Sequence, residues 1–191
     1  MGNYISSSLT FYDTKIVVED TGSSYNNIEV MMNWEQPIMS ASAAYVTQNS
    51  GDILEIGFGM GIASGYIQSH SISSHTIIEN HPQVIPKAVE WASGKSNVTI
   101  ISQSWVDVTG SLGTYDGIFH DTFGDDHVND FKLLADAKGK SGAKVSYWNN
   151  VEMERNDYSF SNISFEQIPV NADSCSYTTV SSSYYMPKVV I

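Results

Sequence analysis

The chain from Gly51 onward alternates short apolar segments with helical or loop segments. The apolar segments read DILEIG, HTIIEN, NVTIIS, YDGIFHD and AKVSYW. This alternation is typical of parallel strands that are joined by crossover segments. It predicts an open α/β fold, in which ligands bind beyond the carboxyl ends of the strands. We therefore expect the functional residues in the segments that follow the strands.

Three further segments complete the predicted fold. The segments ISFEQIPV and YYMPKVVI predict two more strands, which form an antiparallel pair at one edge of the sheet. A helix is predicted over residues 37–48, because Pro37 sits early, where a missing N–H is tolerated. Residues 1–28 are rich in Ser, Thr, Asn and Tyr, and we expect an arm or flap there, followed by a single domain over residues 29–191.

Composition excludes several classes of protein. The single cysteine, Cys175, rules out an internal disulfide and favours a reducing compartment. No apolar run approaches the ~20 residues that span a bilayer, and no secretory signal opens the sequence, so we expect a cytoplasmic protein without membrane contact. A net charge of −12 opposes binding to nucleic acid and permits a cationic substrate. The histidines lack the H-x-x-x-H spacing of a metalloprotease, and no metal is predicted.

A glycine turn follows the first strand of this alternation. The string LEIGFGMG contains Glu55, Gly57 and Gly59 in the pattern E-x-G-x-G, and such glycines let the backbone pass close to a ligand. Ile62 stands where the dinucleotide fingerprint needs its third glycine, which disfavours hydride transfer. Glu79 ends the next strand, where nucleotide-binding folds place an acid on the ribose hydroxyls. These features together predict a nucleoside cradle.

Six strings in order carry a family resemblance. VMMNWEQPIM, LEIGFGMGIA, IIENHP, SWVDV, YDGIFHDTF and SYWNN, spread over residues 30–150, resemble the guanidinoacetate and fungal δ-N-arginine methyltransferase family. The resemblance implies a Rossmann-like class I methyltransferase fold: a mostly parallel seven-stranded sheet with helices on both faces and an antiparallel C-terminal edge. It also implies S-adenosylmethionine as the cofactor, a guanidino compound as the acceptor, and a monomer or homodimer.

The resemblance also implies roles for individual residues. Glu35 and Asp121 would hold the acceptor guanidino group, with a polar contact from Thr122. A guanidinium presents its N–H donors in a planar fork that carboxylates match, so physical reasoning favours the same pair. We assign Asp121 as the proton acceptor and Glu35 as the orienting partner. The residues expected at the cofactor are Met31, Met39, Glu55, Gly57, Phe58, Gly59, Glu79, Asn80, Ser104 and Trp105.

Three hypotheses address the identity of the acceptor. The first is a small guanidino compound such as guanidinoacetate, and the second is a protein arginine methylated at its δ-nitrogen, which would need an open groove beside Glu35. The third is a protein that binds S-adenosylmethionine without methyl transfer, against which both acceptor acids argue. Guanidinoacetate needs a partner for its carboxylate. The one arginine of the chain, Arg155, lies outside the matched motifs, so we expect backbone N–H groups around Asn149 and Asn150 to serve.

Overall fold

The computed structural model describes residues 4–125, 127, 130–172, 175–176 and 178–191. Its main sheet has the strand order β6-β5-β4-β7-β8-β10-β9. Neighbouring strands from β6 to β8 are parallel, whereas β10 is antiparallel to both β8 and β9. The predicted strands and the antiparallel C-terminal edge are thereby confirmed. The strands are β4 (Asp52–Ile56), β5 (Ser74–Ile78), β6 (Val98–Ile101), β7 (Tyr115–His120), β8 (Gly139–Tyr147), β9 (Ile163–Pro169) and β10 (Ser183–Val190).

Helices cover both faces of this sheet, as predicted. Successive strand residues point to opposite faces, and β4 shows the result: Ile53 packs with α1 and α2, whereas Leu54 packs with α4 and α5. The predicted helix over residues 37–48 is α1, which starts one residue earlier and ends two residues earlier. The helices are α1 (Gln36–Val46), α2 (Ile62–Gln68), α3 (Ile85–Ala92), α4 (Trp105–Val108) and α5 (Phe131–Lys138).

A smaller antiparallel sheet lies N-terminal to α1. It consists of β1 (Leu9–Phe11), β2 (Lys15–Val18) and β3 (Glu29–Met32), in that order. Most of the predicted arm therefore has defined structure, while its residues 1–3 lie outside the described part of the chain. Gln83, which follows β5, fastens the arm to the main sheet, because its side-chain oxygen accepts a hydrogen bond from the N–H of Leu9 at 2.7 Å.

Within the described residues, no helix combines the length and the apolar character that crossing a bilayer requires. The parallel strands β4, β5 and β7 all end at one edge of the sheet, and the segments that follow them meet there. This edge is where the fold predicts a ligand site.

Candidate functional site

A cavity of about 380 Å³ lies at the carboxyl ends of β4, β5 and β7. Its volume falls in the range of about 300–1,000 Å³ that is usual for small-molecule sites. The structure brings most of the predicted site residues to its wall. They are Met31, Glu55, Gly57, Phe58, Gly59, Glu79, Asn80, Ser104, Trp105, Asp121 and Thr122.

The turn after β4 has two glycines with positive φ, and only glycine fits at the first of them. Gly57 has a φ of +92°, and a Cβ placed there would lie 1.8 Å from the carbonyl oxygen of Asp121. Gly59 has a φ of +54°, and its Cβ would lie 2.7 Å from the sulfur of Met31. The turn therefore leaves bare backbone along the cavity, which is the kind of surface that a nucleoside cofactor needs.

Glu79 joins the ends of two strands as well as facing the cavity. One carboxylate oxygen accepts a hydrogen bond from the N–H of Phe58 at 2.9 Å. The other accepts from the N–H groups of Asn80 at 2.8 Å and His81 at 2.7 Å. Sequence reasoning anticipated a cofactor contact for Glu79 and missed this structural role, which fixes the glycine turn against the end of β5.

Asp121 lies on the cavity wall and has a raised pKa. Burial and the nearby charge of Glu55 raise the pKa of Asp121 from its ordinary value to about 7. Glu55 is fully buried and is held by Ser64, whose hydroxyl donates at 2.7 Å, and by His75, whose Nε2 lies 2.8 Å away. A carboxyl group that titrates near neutral pH can take up and release a proton under physiological conditions.

Asp125 is a site residue that sequence reasoning missed. Its carboxylate accepts hydrogen bonds from the indole N–H of Trp105 at 2.8 Å and from the hydroxyl of Thr122 at 3.1 Å. Burial raises the pKa of Asp125, but the contacts with His120, the N–H of His127 and Trp105 outweigh it and lower the pKa. Asp125 thus connects α4 to the segment that follows Asp121.

Glu35 and Met39 are not among the described residues that line the cavity. Glu35 is 2% exposed, and one of its carboxylate oxygens accepts a hydrogen bond from the N–H of Met32 at 2.7 Å. Glu35 and Asp121 both influence one buried neighbour, Tyr184. Burial of Tyr184 raises its pKa, and the charges of Asp121 and Glu35 raise it further. Met39 is fully buried in the hydrophobic core around α1.

The two asparagines that follow β8 differ in their surroundings. Asn149 is fully buried, its N–H donates to the hydroxyl of Tyr184 at 2.7 Å, and its side-chain amide donates to the carbonyl groups of Met153 and Tyr185. The backbone N–H that was expected to bind the acceptor is therefore already engaged. Asn150 instead lines a second depression.

This second depression, the groove, has a volume of about 600 Å³. It shares Tyr25 and residues 122–125 with the cavity, so the two spaces meet at the segment directly after Asp121. Aromatic and charged side chains dominate its wall. The lining residues are Tyr25, His120, Thr122, Phe123, Gly124, Asp125, Trp148, Asn150, Arg155, Asp157 and Tyr158.

Comparison with known proteins identifies the family. The family model described as guanidinoacetate N-methyltransferase matches residues 14–149. The chain belongs to the guanidinoacetate N-methyltransferase family. Among curated relatives, protein arginine N-methyltransferase 2 of Aspergillus oryzae is 37% identical over 136 residues, and that of Kluyveromyces lactis is 36% identical over 144 residues. These matches cover 68% and 70% of this chain but only 31% and 34% of the relatives, so the chain spans about a third of their length.

Solved structures of other proteins share the fold of this chain. Spermidine synthase from Thermotoga maritima aligns with a TM-score of 0.63 over 96% of this chain and 72% of its own, at 13% identity. Precorrin-6y C5,15-methyltransferase from Geobacter metallireducens aligns with a TM-score of 0.60 over 80% of this chain and 87% of its own, at 10% identity. The predicted Rossmann-like fold is thereby confirmed. The family and the fold together imply S-adenosylmethionine as the cofactor, and the bare glycine turn and the cavity beside it fit that molecule.

Proposed function

We propose that this chain transfers a methyl group from S-adenosylmethionine to a guanidino nitrogen of an arginine side chain in a polypeptide. One observation carries the proposal: residues 122–125, directly after Asp121, form the wall that the cavity and the groove share. A long side chain in the groove would therefore lie against the segment next to Asp121, and we propose that it passes this segment to reach the carboxyl group. The names of the relatives, protein arginine N-methyltransferase 2, support the arginine acceptor over guanidinoacetate.

The cofactor would lie along the glycine turn of Gly57 and Gly59, with Glu79 at its ribose and Trp105 at its adenine. When bound, it would supply a methyl group on a sulfonium, for transfer to the guanidino nitrogen with cleavage of the carbon–sulfur bond. Asp125 would hold the Trp105 indole in place through the 2.8 Å hydrogen bond. Much of the rate would come from positioning, which can contribute on the order of 7–11 kcal/mol.

Asp121 would take the proton that the guanidino nitrogen must lose. A protonated guanidinium is a poor nucleophile because its lone pairs are delocalised. Burial and Glu55 make Asp121 more basic than an ordinary aspartate, so it is suited to accept that proton. Glu35 would orient the acceptor, which requires its buried carboxylate to become accessible from the cavity.

Guanidinoacetate remains the second candidate acceptor, because the matching family model carries its name. The deciding experiment incubates the protein with labelled S-adenosylmethionine and a panel of guanidinoacetate, arginine, agmatine and an arginine peptide, with mass analysis of each product. We expect the arginine peptide to be methylated with the highest kcat/KM. Methylation of guanidinoacetate alone would replace the arginine proposal, and methylation of no acceptor would favour a protein that only binds the cofactor.

A further inference from the structure

Arg155 lies in the groove, although it is outside the motifs that define the family. It lines the groove together with Asp157 and Asn150 and is not among the described residues that line the cavity. Its Nε atom is 2.5 Å from a carboxylate oxygen of Asp157, and 54% of its side chain is exposed. The guanidinium carries five N–H donors, of which this contact occupies one, so its outer edge can still bind an anion.

The groove has negative charge near the cavity and a positive charge farther away. This arrangement suits an acceptor that carries a cationic group at one end and an anionic group at the other. Asp125 lies on the wall shared with the cavity, where Asp121 is close by, whereas Arg155 belongs to the groove alone. Tyr158 also lines the groove. Burial raises the pKa of Tyr158, and the charges of Asp157, Asp125 and Asp121 raise it further. A cationic group is therefore favoured at the cavity end, and an anionic group can be bound farther along the groove.

We propose that the groove holds the part of the acceptor beyond its guanidino group and that Arg155 binds a carboxylate of that acceptor. This inference rests on the proposed function, since it assumes that a guanidino group reaches Asp121. An arginine and a carboxylate form short charge-assisted hydrogen bonds, often two at once. Asp157 both positions Arg155 and competes with the acceptor for it. The carboxylate can belong to a free guanidino acid or to an acidic residue beside an arginine in a peptide.

The test compares acceptors that differ only in the carboxylate. Steady-state kinetics with arginine and agmatine are measured for the wild type and for Arg155→Gln. We expect the variant to raise KM for arginine by up to about fivefold and to leave KM for agmatine unchanged, because an exposed ion pair contributes modestly. We also compare the KM of a peptide that has aspartate beside the arginine with the KM of the same peptide with asparagine there. This comparison shows whether Arg155 binds the carboxylate of a peptide as well.

Two further variants sharpen the result. Asp157→Asn removes the competing carboxylate, so KM for arginine should fall while KM for agmatine stays constant. Lys188→Gln removes a cation that pairs with Glu166 and lines neither the cavity nor the groove, and it should change neither KM. An equal effect of Arg155→Gln on both acceptors, or no effect on either, would overturn the inference. If the wild type methylates no acceptor, the proposed function fails, and calorimetric binding of arginine and agmatine decides this inference separately: equal affinities would refute it.

Discussion

Asp121 holds its proton more tightly than an ordinary aspartate, because burial and the charge of Glu55 both disfavour ionisation. The pKa of Asp121 is raised from 3.8 to about 7 on folding, so the folded chain binds more protons than the unfolded chain between these values. The free energy of unfolding must therefore decrease as pH rises through this window. The chain therefore loses stability as pH rises, because it keeps a titratable carboxyl group beside the cofactor cavity.

The first prediction is that Asp121→Asn stabilises the ligand-free protein at neutral and alkaline pH, because it removes the unfavourable charge. One pKa unit corresponds to about 1.4 kcal/mol, and we expect at least that gain above pH 7. The gain should vanish below about pH 4, where Asp121 is protonated in both states. Urea denaturation at several pH values measures it, and a gain that does not vary with pH would contradict the assigned environment.

The second prediction concerns the charge that perturbs Asp121. The kcat/KM for methyl transfer should rise with pH as Asp121 of the free enzyme loses its proton. Glu55→Gln keeps the shape of the side chain and removes its charge, so the pKa of Asp121 falls and the rise should move to lower pH. Circular dichroism serves as the control for folding. A profile that stays in place in a folded variant would show that Glu55 does not act on Asp121.

At the scale of elements, the glycine turn couples β4 to the segment after β7. The Cβ of an alanine at position 57 would collide with the carbonyl of Asp121, and the φ of +92° adds backbone strain. Gly65, in α2, provides a matched control because a Cβ there meets nothing within 4 Å.

The third prediction is that Gly57→Ala weakens cofactor binding strongly and lowers the free energy of unfolding by about 2 kcal/mol or more, as a strained site does. Gly65→Ala should leave cofactor affinity unchanged and stabilise the helix by about 0.5–1 kcal/mol. Calorimetry and chemical denaturation give both values. Equal effects of the two substitutions would mean that the close approach of Gly57 to Asp121 has no importance.

The sequence was sufficient to predict most of the elements, because each strand carries its own local signal. DILEIG and YDGIFHD became β4 and β7 within one or two residues, and the glycine pattern located the cavity. Partners that are far apart in the chain carry no such signal. The N–H of Asn149 turned out to donate to the hydroxyl of Tyr184, 35 residues later, and Asp125 bonds to Trp105, twenty residues before it. Periodicity indicates that a side chain is buried or exposed, but only the packed fold decides which atom it meets.

At the scale of the whole molecule, the net charge of −12 gives the protein a negative field. Such a field attracts cationic acceptors over a distance that shrinks as salt increases, with a Debye length of about 10 Å at 0.1 M and 3 Å at 1 M.

The division into an arm over residues 1–28 and a domain over residues 29–191 stays a prediction, as do the cytoplasmic location and the monomeric or dimeric state.

The fourth prediction follows from this field. The KM for a cationic arginine peptide should rise severalfold between low and high salt, because the long-range attraction is screened. The affinity of S-adenosylhomocysteine, whose side chain lacks the sulfonium charge, should change much less and serves as the control. Salt-dependent kinetics measure both, and a peptide KM that is independent of salt would show that the acidic surface plays no part in recruiting the acceptor.

The central claim is that Asp121 accepts a proton from a guanidino nitrogen while methyl transfer takes place beside it. The most direct test is the single-turnover rate of labelled methyl transfer to an arginine peptide by the wild type and by Asp121→Asn, with cofactor affinity measured in parallel. We predict that the variant binds the cofactor almost as the wild type does and transfers the methyl group at least ~10²-fold more slowly. A variant that binds the cofactor normally and transfers at the wild-type rate would contradict this mechanism.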